Sequence, residues 1–346
     1  MGHPKIINRT PFVFEALFVA DENGRPLCVP IVKATFAIGP GGALSIAERQ
    51  LPLELAGTFH GEPGESSYVY EPETAFFKPA TDVVLIGDAH ADKAGATEVV
   101  AGIRVGSVQK LVKVVGDRFM SRRSRASAMT RPRPFEQMPL TWERAFGGWD
   151  RRHPDRNAHR AEPRNPVGTG FRDASYDADD DVRLPNLEDP QQPAYAYGDR
   201  PSPVGVGFVA PNWAPRAQLA GTYDERWATA RSPLLPVDFD RRFFNAAAPG
   251  LVASGYLRGD EDVVVLNASP EGRLAFRLPD AFPPECRYRL NGRKKSAAVE
   301  MHLDTVIVNT ADRHLIVIWR AHFPLRTGPH DLVVLRARSV GALVGV

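Results

Sequence analysis

Over both ends of the chain apolar and polar positions alternate with a period of two, the pattern of strands that bury one face. Residues 12–19 and 27–38 are two such runs, flanking Asp21-Glu22-Asn23-Gly24, whose Asn-Gly pair supplies the positive φ of a hairpin turn. Further strands are predicted over residues 82–89, 97–105 and 108–115. In the last, Lys110 and Lys113 among Val108, Leu111 and Val112 point to a sheet with one wet face, so residues 1–117 read as antiparallel. Strands return over residues 262–267, 274–278, 286–290, 299–309, 313–322 and 331–338, punctuated by Pro270-Glu271-Gly272, Asn291-Gly292 and Thr327-Gly328-Pro329. Val299, Met301, Leu303, Thr305 and Ile307 alternate with Glu300, His302 and Asp304, which predicts a half-buried strand.

Between these ends the pattern breaks. Fifteen prolines fall between Pro132 and Pro236, too closely spaced for regular strands, yet Trp142, Trp149, Trp213 and Trp227 lie in the same stretch. Disordered linkers lack such aromatics, so residues 118–249 read as a long, ordered, loop-rich segment packed over a sheet. Two short helices are predicted in it. Thr222-Tyr223-Asp224-Glu225 is a capping-box pattern ahead of Trp227, and a second helix runs over residues 238–247 and stops at Pro249. The resulting division is an N-terminal β region (1–117), a Pro/Arg/Trp-rich region (118–249) and a C-terminal β region (250–346), separate or joined in one unit. The fold class is mainly β, with antiparallel, sandwich-type sheets and a few short helices.

Composition sharpens this reading at few points. The 346 residues are enough to bury a large core without disulfides, and 29 Gly with 31 Pro favour short strands and ordered loops over long helices. A net charge of +2 gives no general pull toward nucleic acid or anionic lipid. Charge is segregated locally: residues 118–172 hold 13 Arg and five acids, while residues 173–189 hold seven acids and one Arg. Mutual neutralisation across the fold is the simpler expectation, and a polar surface for a charged partner the sharper one. Cys28 and Cys286 form no CxxC pair, so neither a disulfide framework nor a cysteine-rich zinc site is expected, and a cytoplasmic location follows most simply. No secretory signal and no apolar run of about 20 residues is present, so membrane insertion is not expected.

Chemistry-bearing motifs are scarce. GxSxG, GxxxxGK[ST], HExxH and EF-hand patterns do not occur, and Gly168-Thr169-Gly170 and Gly205-Val206-Gly207 lack the third glycine of a dinucleotide fingerprint. Asp88-Ala89-His90 and His302-Leu303-Asp304 each set two potential metal ligands on one face of a strand. His153 and His159 sit in the Arg-rich loop beside Asp150 and Asp155. Asp88 with His90, or the His153/His159 loop, is the basis of one alternative, a metal-assisted hydrolase. Surface Trp and Tyr are the basis of another, a carbohydrate-binding sandwich. No cofactor is expected, and the acidic block disfavours nucleic acid.

A set of co-linear strings carries a resemblance. They are Met138-Pro139-Leu140-Thr141-Trp142-Glu143-Arg144-Ala145-Phe146-Gly147-Gly148, then Arg164-Asn165-Pro166-Val167-Gly168-Thr169-Gly170-Phe171, then Leu184-Pro185-Asn186-Leu187-Glu188-Asp189-Pro190. Ala220-Gly221-Thr222-Tyr223-Asp224-Glu225-Arg226-Trp227 and Pro236-Val237-Asp238-Phe239-Asp240-Arg241-Arg242-Phe243-Phe244-Asn245-Ala246-Ala247 complete the set. With the early Asn8-Arg9-Thr10-Pro11-Phe12 and the strand opening Thr81-Asp82-Val83, the chain resembles the domain of unknown function 2169 family over nearly its whole length. The resemblance implies a non-catalytic adaptor or chaperone of the bacterial type VI secretion system, which holds a toxic effector and helps load it on the VgrG spike or its PAAR-repeat tip. It supplies no catalytic residues. An adaptor needs aromatic and Arg anchors rather than a deep catalytic pocket. The residues of that kind in the middle segment are Trp142, Arg144, Trp149, Arg164 and Trp227, although Trp142 and Trp227 also suit a core.

Overall fold

The computed structural model describes residues 4–123, 126–173, 180–192, 198–279 and 283–339. The main strands are β1 (Lys5–Arg9), β2 (Val13–Ala20), β3 (Pro26–Ile38), β4 (Asp82–Ile86), β5 (Asp88–His90), β6 (Glu98–Val105) and β7 (Val108–Val115). They continue with β8 (Asp262–Leu266), β9 (Arg273–Arg277), β10 (Glu285–Leu290), β11 (Ala297–Val299), β12 (His302–Asn309), β13 (His314–Arg320) and β14 (Leu332–Arg338). The protein is mainly β, as the alternation predicts.

Three sheets hold all of these strands but β5, which pairs antiparallel with the short strand Gln137–Pro139. A seven-stranded sheet runs β2-β3-β13-β12-β4, with the short strands Leu44–Ile46 and Phe323–Pro324 also pairing with β3. A five-stranded antiparallel sheet runs from Leu187–Glu188 through β7, β6, β8 and β9, and a four-stranded sheet runs β1-β14-β10-β11. Strands from both ends of the chain share each of the three. The pairing is antiparallel with main exceptions: β4 lies parallel to β12, and β1 parallel to β14. One hydrophobic cluster joins Phe14, Ile103, Trp142, Val265, Cys286 and Leu335, so all three sheets and the middle segment contribute to the same core.

Two prolines sit inside β3, where ladder bonds are usually needed. Both lie opposite β2 at positions that exchange no hydrogen bond with it. The Asp21 N–H donates to the Arg25 carbonyl at 3.0 Å, which sets Val19, Leu17, Glu15 and Val13 as the bonded partners of β3 and leaves Ala20, Phe18, Ala16 and Phe14 between them. Pro26 and Pro30 pair with Ala20 and Ala16, and their carbonyls turn to the other side, accepting from Leu325 and Ala321.

Several predicted boundaries shift for identifiable reasons. The run over 82–89 is two strands because Gly87 has a φ of 147° and a Cβ there would meet Thr310 Oγ1 at 2.1 Å. The run over 299–309 is also two strands, β11 in the four-stranded sheet and β12 in the seven-stranded one. β12 is buried on both faces rather than one: Leu303 pairs with Trp319 and Thr305 with Ile318, so Asp304 is the extra residue of a bulge. Its carboxylate accepts from Arg320 Nε at 2.5 Å, with both side chains under 4% exposed. Arg320 Nη1 also donates to the carbonyls of Glu73 (2.9 Å) and Ala75 (2.6 Å).

The first predicted helix is present with a different cap, and the second is shorter than predicted. α1 (Glu225–Ala230) is capped by Asp224, whose carboxylate accepts from the Trp227 N–H at 2.7 Å; Thr222 instead donates its N–H and hydroxyl to Asp238. The second predicted helix is only a 3-10 turn, Arg241–Phe244, capped by Asp240. Asn245 ends it in extended conformation because its amide is held by the Ala80 carbonyl and by Asp82.

Removing one member of a buried ion pair strands the other charge. Asp304→Ala is expected to destabilise the protein by about 3–5 kcal/mol in urea unfolding. Asp304→Ala combined with Arg320→Met should recover part of that loss.

Candidate functional site

The middle segment is held by side chains that replace regular secondary structure. It includes a small three-stranded sheet of Phe119–Arg123, Ala126–Met129 and Asp181–Arg183, and the turn Trp142–Arg144. Asn165, fully buried, donates its amide to the carbonyls of Trp142 (2.8 Å) and Phe146 (3.0 Å), while its own carbonyl accepts from the Gly148 N–H. Glu143 accepts from the Ser67 N–H (2.7 Å) and hydroxyl (2.9 Å), pinning the segment to the N-terminal region. Asn186 donates to the carbonyl of Val115 and to Asp117. The family-like strings are thus, in large part, the stitching of an irregular chain.

The five sequence-nominated residues fall into different settings. Trp142 is 3% exposed, edge-on to Trp213 with ring centroids 5.9 Å apart, and belongs to the core rather than to a docking surface. Arg144 donates to Asn186 Oδ1 and lies 3.7 Å from Asp117. Arg164 grips Glu162 through Nε (2.6 Å) and Nη2 (3.0 Å) and reaches the Pro201 carbonyl. Burial raises the Glu162 carboxyl, but Arg164 outweighs it and holds it below the usual range. Trp227 donates Nε1 to the Leu234 carbonyl and packs edge-on against Tyr223. Trp149 is the exposed one, 48% accessible, with the Arg151 guanidinium 5.4 Å from its ring centre. Alternation in the short strand Trp149–Asp150 turns Asp150 inward, where its carboxylate accepts from Arg152 and from the Asp173 N–H. Burial raises the Asp150 carboxyl, and those donors more than offset it, leaving it far below the usual range.

The two charge blocks do meet. Arg118 pairs with Glu188, and Arg152 and Arg172 pair with Asp180. Asp177 and Asp179 of the acidic block, and Arg125 of the basic one, lie outside the described residues.

Sequence reasoning missed a groove. An open cavity of 470 Å³ is lined by Pro79, Ala80, Val209, Pro215, Leu219, Ala247, Val252 and Ala253, with Arg216, Arg242 and Asn245 among its polar residues. Its wall is joined to the Glu162–Arg164 loop by the Ala214 N–H donating to the Pro163 carbonyl. Beneath it lies a set of buried charges. Arg216 donates Nη1 to the Val209 carbonyl and Nε to the Phe243 carbonyl, both at 2.7 Å, and pairs with Glu71. Asp82, with no exposed surface, accepts from Lys78 Nζ (2.8 Å), Asn245 Nδ2 (2.9 Å) and the Ala246 N–H (2.9 Å). Lys78 also donates to Thr305, and Lys33 donates to Glu73 at 2.7 Å. Burial pushes the Glu71 and Glu73 carboxyls up against the pull of Arg216 and Lys33. It pushes Lys78 down, but Asp82, Asp304 and Glu71 prevail and leave that ammonium above its ordinary value. The readable signals were Lys33 in the otherwise apolar run of β3 and the acids Asp82 and Asp304 inside apolar strands. The groove itself has no local motif, because its walls come from four separate stretches of chain.

The histidine pairs do not converge. Asp88 and His90 flank the buried Ala89 in β5, where His90 Nδ1 lies 3.4 Å from Gln137 Nε2. His153 Nδ1 accepts from the Asp155 N–H, and His159 Nε2 donates to the His153 carbonyl. His302 stacks on Tyr256. Among the described residues, no three His, Cys, Asp or Glu side chains come together as a metal-binding group. Cys28 and Cys286 are buried free thiols, both pushed up to about 12 by burial. Among the described residues no helix is long and apolar enough to cross a membrane.

The arrangement is that of a mainly-β protein whose irregular middle segment carries much of an apolar groove. The chain belongs to the family described as "Uncharacterized protein conserved in bacteria (DUF2169)", whose model matches residues 23–320. No curated protein and no solved structure matches it.

Asn165→Ala leaves the Phe146 carbonyl without its donor and the Trp142 carbonyl with only the Ala145 N–H, and is expected to cost about 1–3 kcal/mol, read by urea unfolding. A second prediction concerns Lys110, which donates to the Pro249 carbonyl beside the groove and is pushed down to about 8 by burial. Between that value and the ordinary lysine value near ~10.4, the unfolded chain holds a proton that the folded one has released, so stability rises with pH across the window. The stability of wild type relative to Lys110→Met should therefore increase from pH ~8 to pH ~10.

Proposed function

We propose that this protein is a non-catalytic adaptor or chaperone that binds an effector of the type VI secretion system and helps load it on the VgrG spike or PAAR-repeat tip. The resemblance of nearly the whole chain to the domain of unknown function 2169 family supplies the system. The observation that carries polypeptide binding is the apolar groove, with Leu219 and Val252 in its lining and Arg242 beside them. A cavity of 470 Å³ accommodates one or two large apolar side chains from a partner, the usual form of an interface anchor. Its walls rest on buried, mutually paired charges, so the groove is preformed and little ordering is required on binding. Exposed Val237, Tyr223 and Trp149 extend the apolar and aromatic surface offered by the same segment. The reading implies a cytoplasmic protein that meets its cargo before export.

The test is co-purification with the product of the neighbouring gene. Leu219→Asp and Val252→Asp should weaken recovery by about tenfold or more with the melting temperature unchanged, and Trp149→Ala should weaken it to a lesser degree. Undiminished recovery with all three variants would remove the middle segment as the docking surface.

A further inference from the structure

We propose that the free edge of β2 is a strand-addition site, which pairs through its main chain with an extended apolar segment of a partner protein bearing a Lys or Arg opposite Glu15. The inference takes from the adaptor reading only its choice of a polypeptide partner, and it uses residues remote in sequence from the groove.

The hydrogen-bond phase of the β2–β3 hairpin decides which groups are free. Val13, Glu15, Leu17 and Val19 bond to β3, so Phe14, Ala16, Phe18 and Ala20 turn their N–H and C=O groups outward. β2 ends its sheet, and among the described residues none of these outward groups has a hydrogen-bond partner. At about 3.4 Å per residue the eight residues offer an edge of roughly 27 Å.

Other sheet edges in the molecule are closed or short. The β4 edge is covered by hydrogen bonds from Val83 to Leu251 and from Leu85 to Val206. Where β3 continues beyond β2, the Gln50 carboxamide accepts from the Thr35 N–H (2.9 Å) and donates to the Thr35 carbonyl (2.8 Å), imitating a neighbouring strand. β9 is crowded by the Pro40–Gly42 turn, where a Cβ on Gly42 would meet the Ala275 carbonyl oxygen at 2.2 Å. β11 has three residues, and the five-residue β1 begins with Lys5 and ends with Arg9. β2 alone among these is long and open, and its sequence, Val-Phe-Glu-Ala-Leu-Phe-Val-Ala, has no proline, glycine or lysine to discourage pairing.

Charge identifies the occupant. Glu15 is exposed and has no ion-pair partner among the described residues, and β2 contains no cation. A second copy pairing edge to edge would set Glu15 against its own image or against an apolar side chain. A foreign strand with a basic residue there is complementary. On the outer edge Glu15 occupies a non-hydrogen-bonded position, where facing side chains come closest. Val13 and Leu17 flank it on the same face, so the complementary segment alternates apolar, basic, apolar at every second residue.

The probes are two nine-residue acetylated and amidated peptides of alternating Val and Thr, with Lys or Glu at the centre. The Lys peptide should slow hydrogen exchange at the Ala16, Phe18 and Ala20 amides and bind about tenfold or more tightly than the Glu peptide. Glu15→Lys should invert that preference. Ala16→Pro leaves the bonds to β3 intact and should abolish binding; Ala20→Pro, at the strand end, serves if Ala16→Pro fails to fold. Equal binding of both peptides, unchanged binding by the proline variant, or amides already protected in a homodimer would overturn the proposal. The experiment contains no effector, so its failure leaves the groove untouched, and failure of the groove variants leaves the edge untouched.

Discussion

The structure depends on the way a single carboxylate is accommodated. Asp82 has no exposed surface, and a buried charge persists only where cations and donors surround it. One partner is local, Lys78 of the preceding loop, and two are distant, Asn245 and Ala246 from the end of the middle segment. Lys78 continues the chain of contacts to Thr305 in β12. The ladder already sets Asp82 opposite Thr305 in the parallel β4–β12 pair, and the same charge fixes the groove wall, which carries no ladder of its own, against that pair. The same demand recurs at Glu71 with Arg216, Glu73 with Lys33, and Asp304 with Arg320. Among the described residues Arg118 with Glu188 is a fifth buried pair; it, Glu71–Arg216 and Glu73–Lys33 join segments far apart in the chain, whereas Lys78 is four residues from Asp82 and Asp304 and Arg320 lie on neighbouring strands.

Much of this fold was legible from periodicity. β7 runs over the predicted residues 108–115, and the β2–β3 hairpin was visible in two alternating runs around Asn-Gly. What the pattern concealed were local interruptions that depend on remote partners. Gly87 looks like any glycine until Thr310 is placed beside it. The bulge at Asp304 cannot be read from β12 alone, because the charge that draws it inward is on β13. Likewise Thr222 satisfies a capping pattern, but Asp238 claims its hydroxyl and Asp224 takes over the cap.

The candidate site was less legible than the fold. Aromatic and Arg content drew attention to the middle segment, and Trp149 does stand on the surface. The same criterion selected Trp142, which is a core residue, because composition does not distinguish an anchor for a partner from an anchor for the chain itself. The groove was not visible at all. Its lining includes Pro79, Leu219, Asn245 and Val252, residues of unlike character whose only common feature is position. Cavities of this kind are products of tertiary packing and leave no local signature.

Pro26 and Pro30 illustrate how a bonding defect can organise what lies beyond it. With no N–H to offer on their outer side, they end the ladder that β13 would otherwise continue, and after Arg320 the chain touches β3 only through Ala321, the Phe323–Pro324 pair and Leu325. That course delivers Phe323 onto Tyr288 of β10, ring on ring at 3.7 Å, and so determines where one sheet is welded to the next. Two missing protons in a strand thus locate a seam between layers.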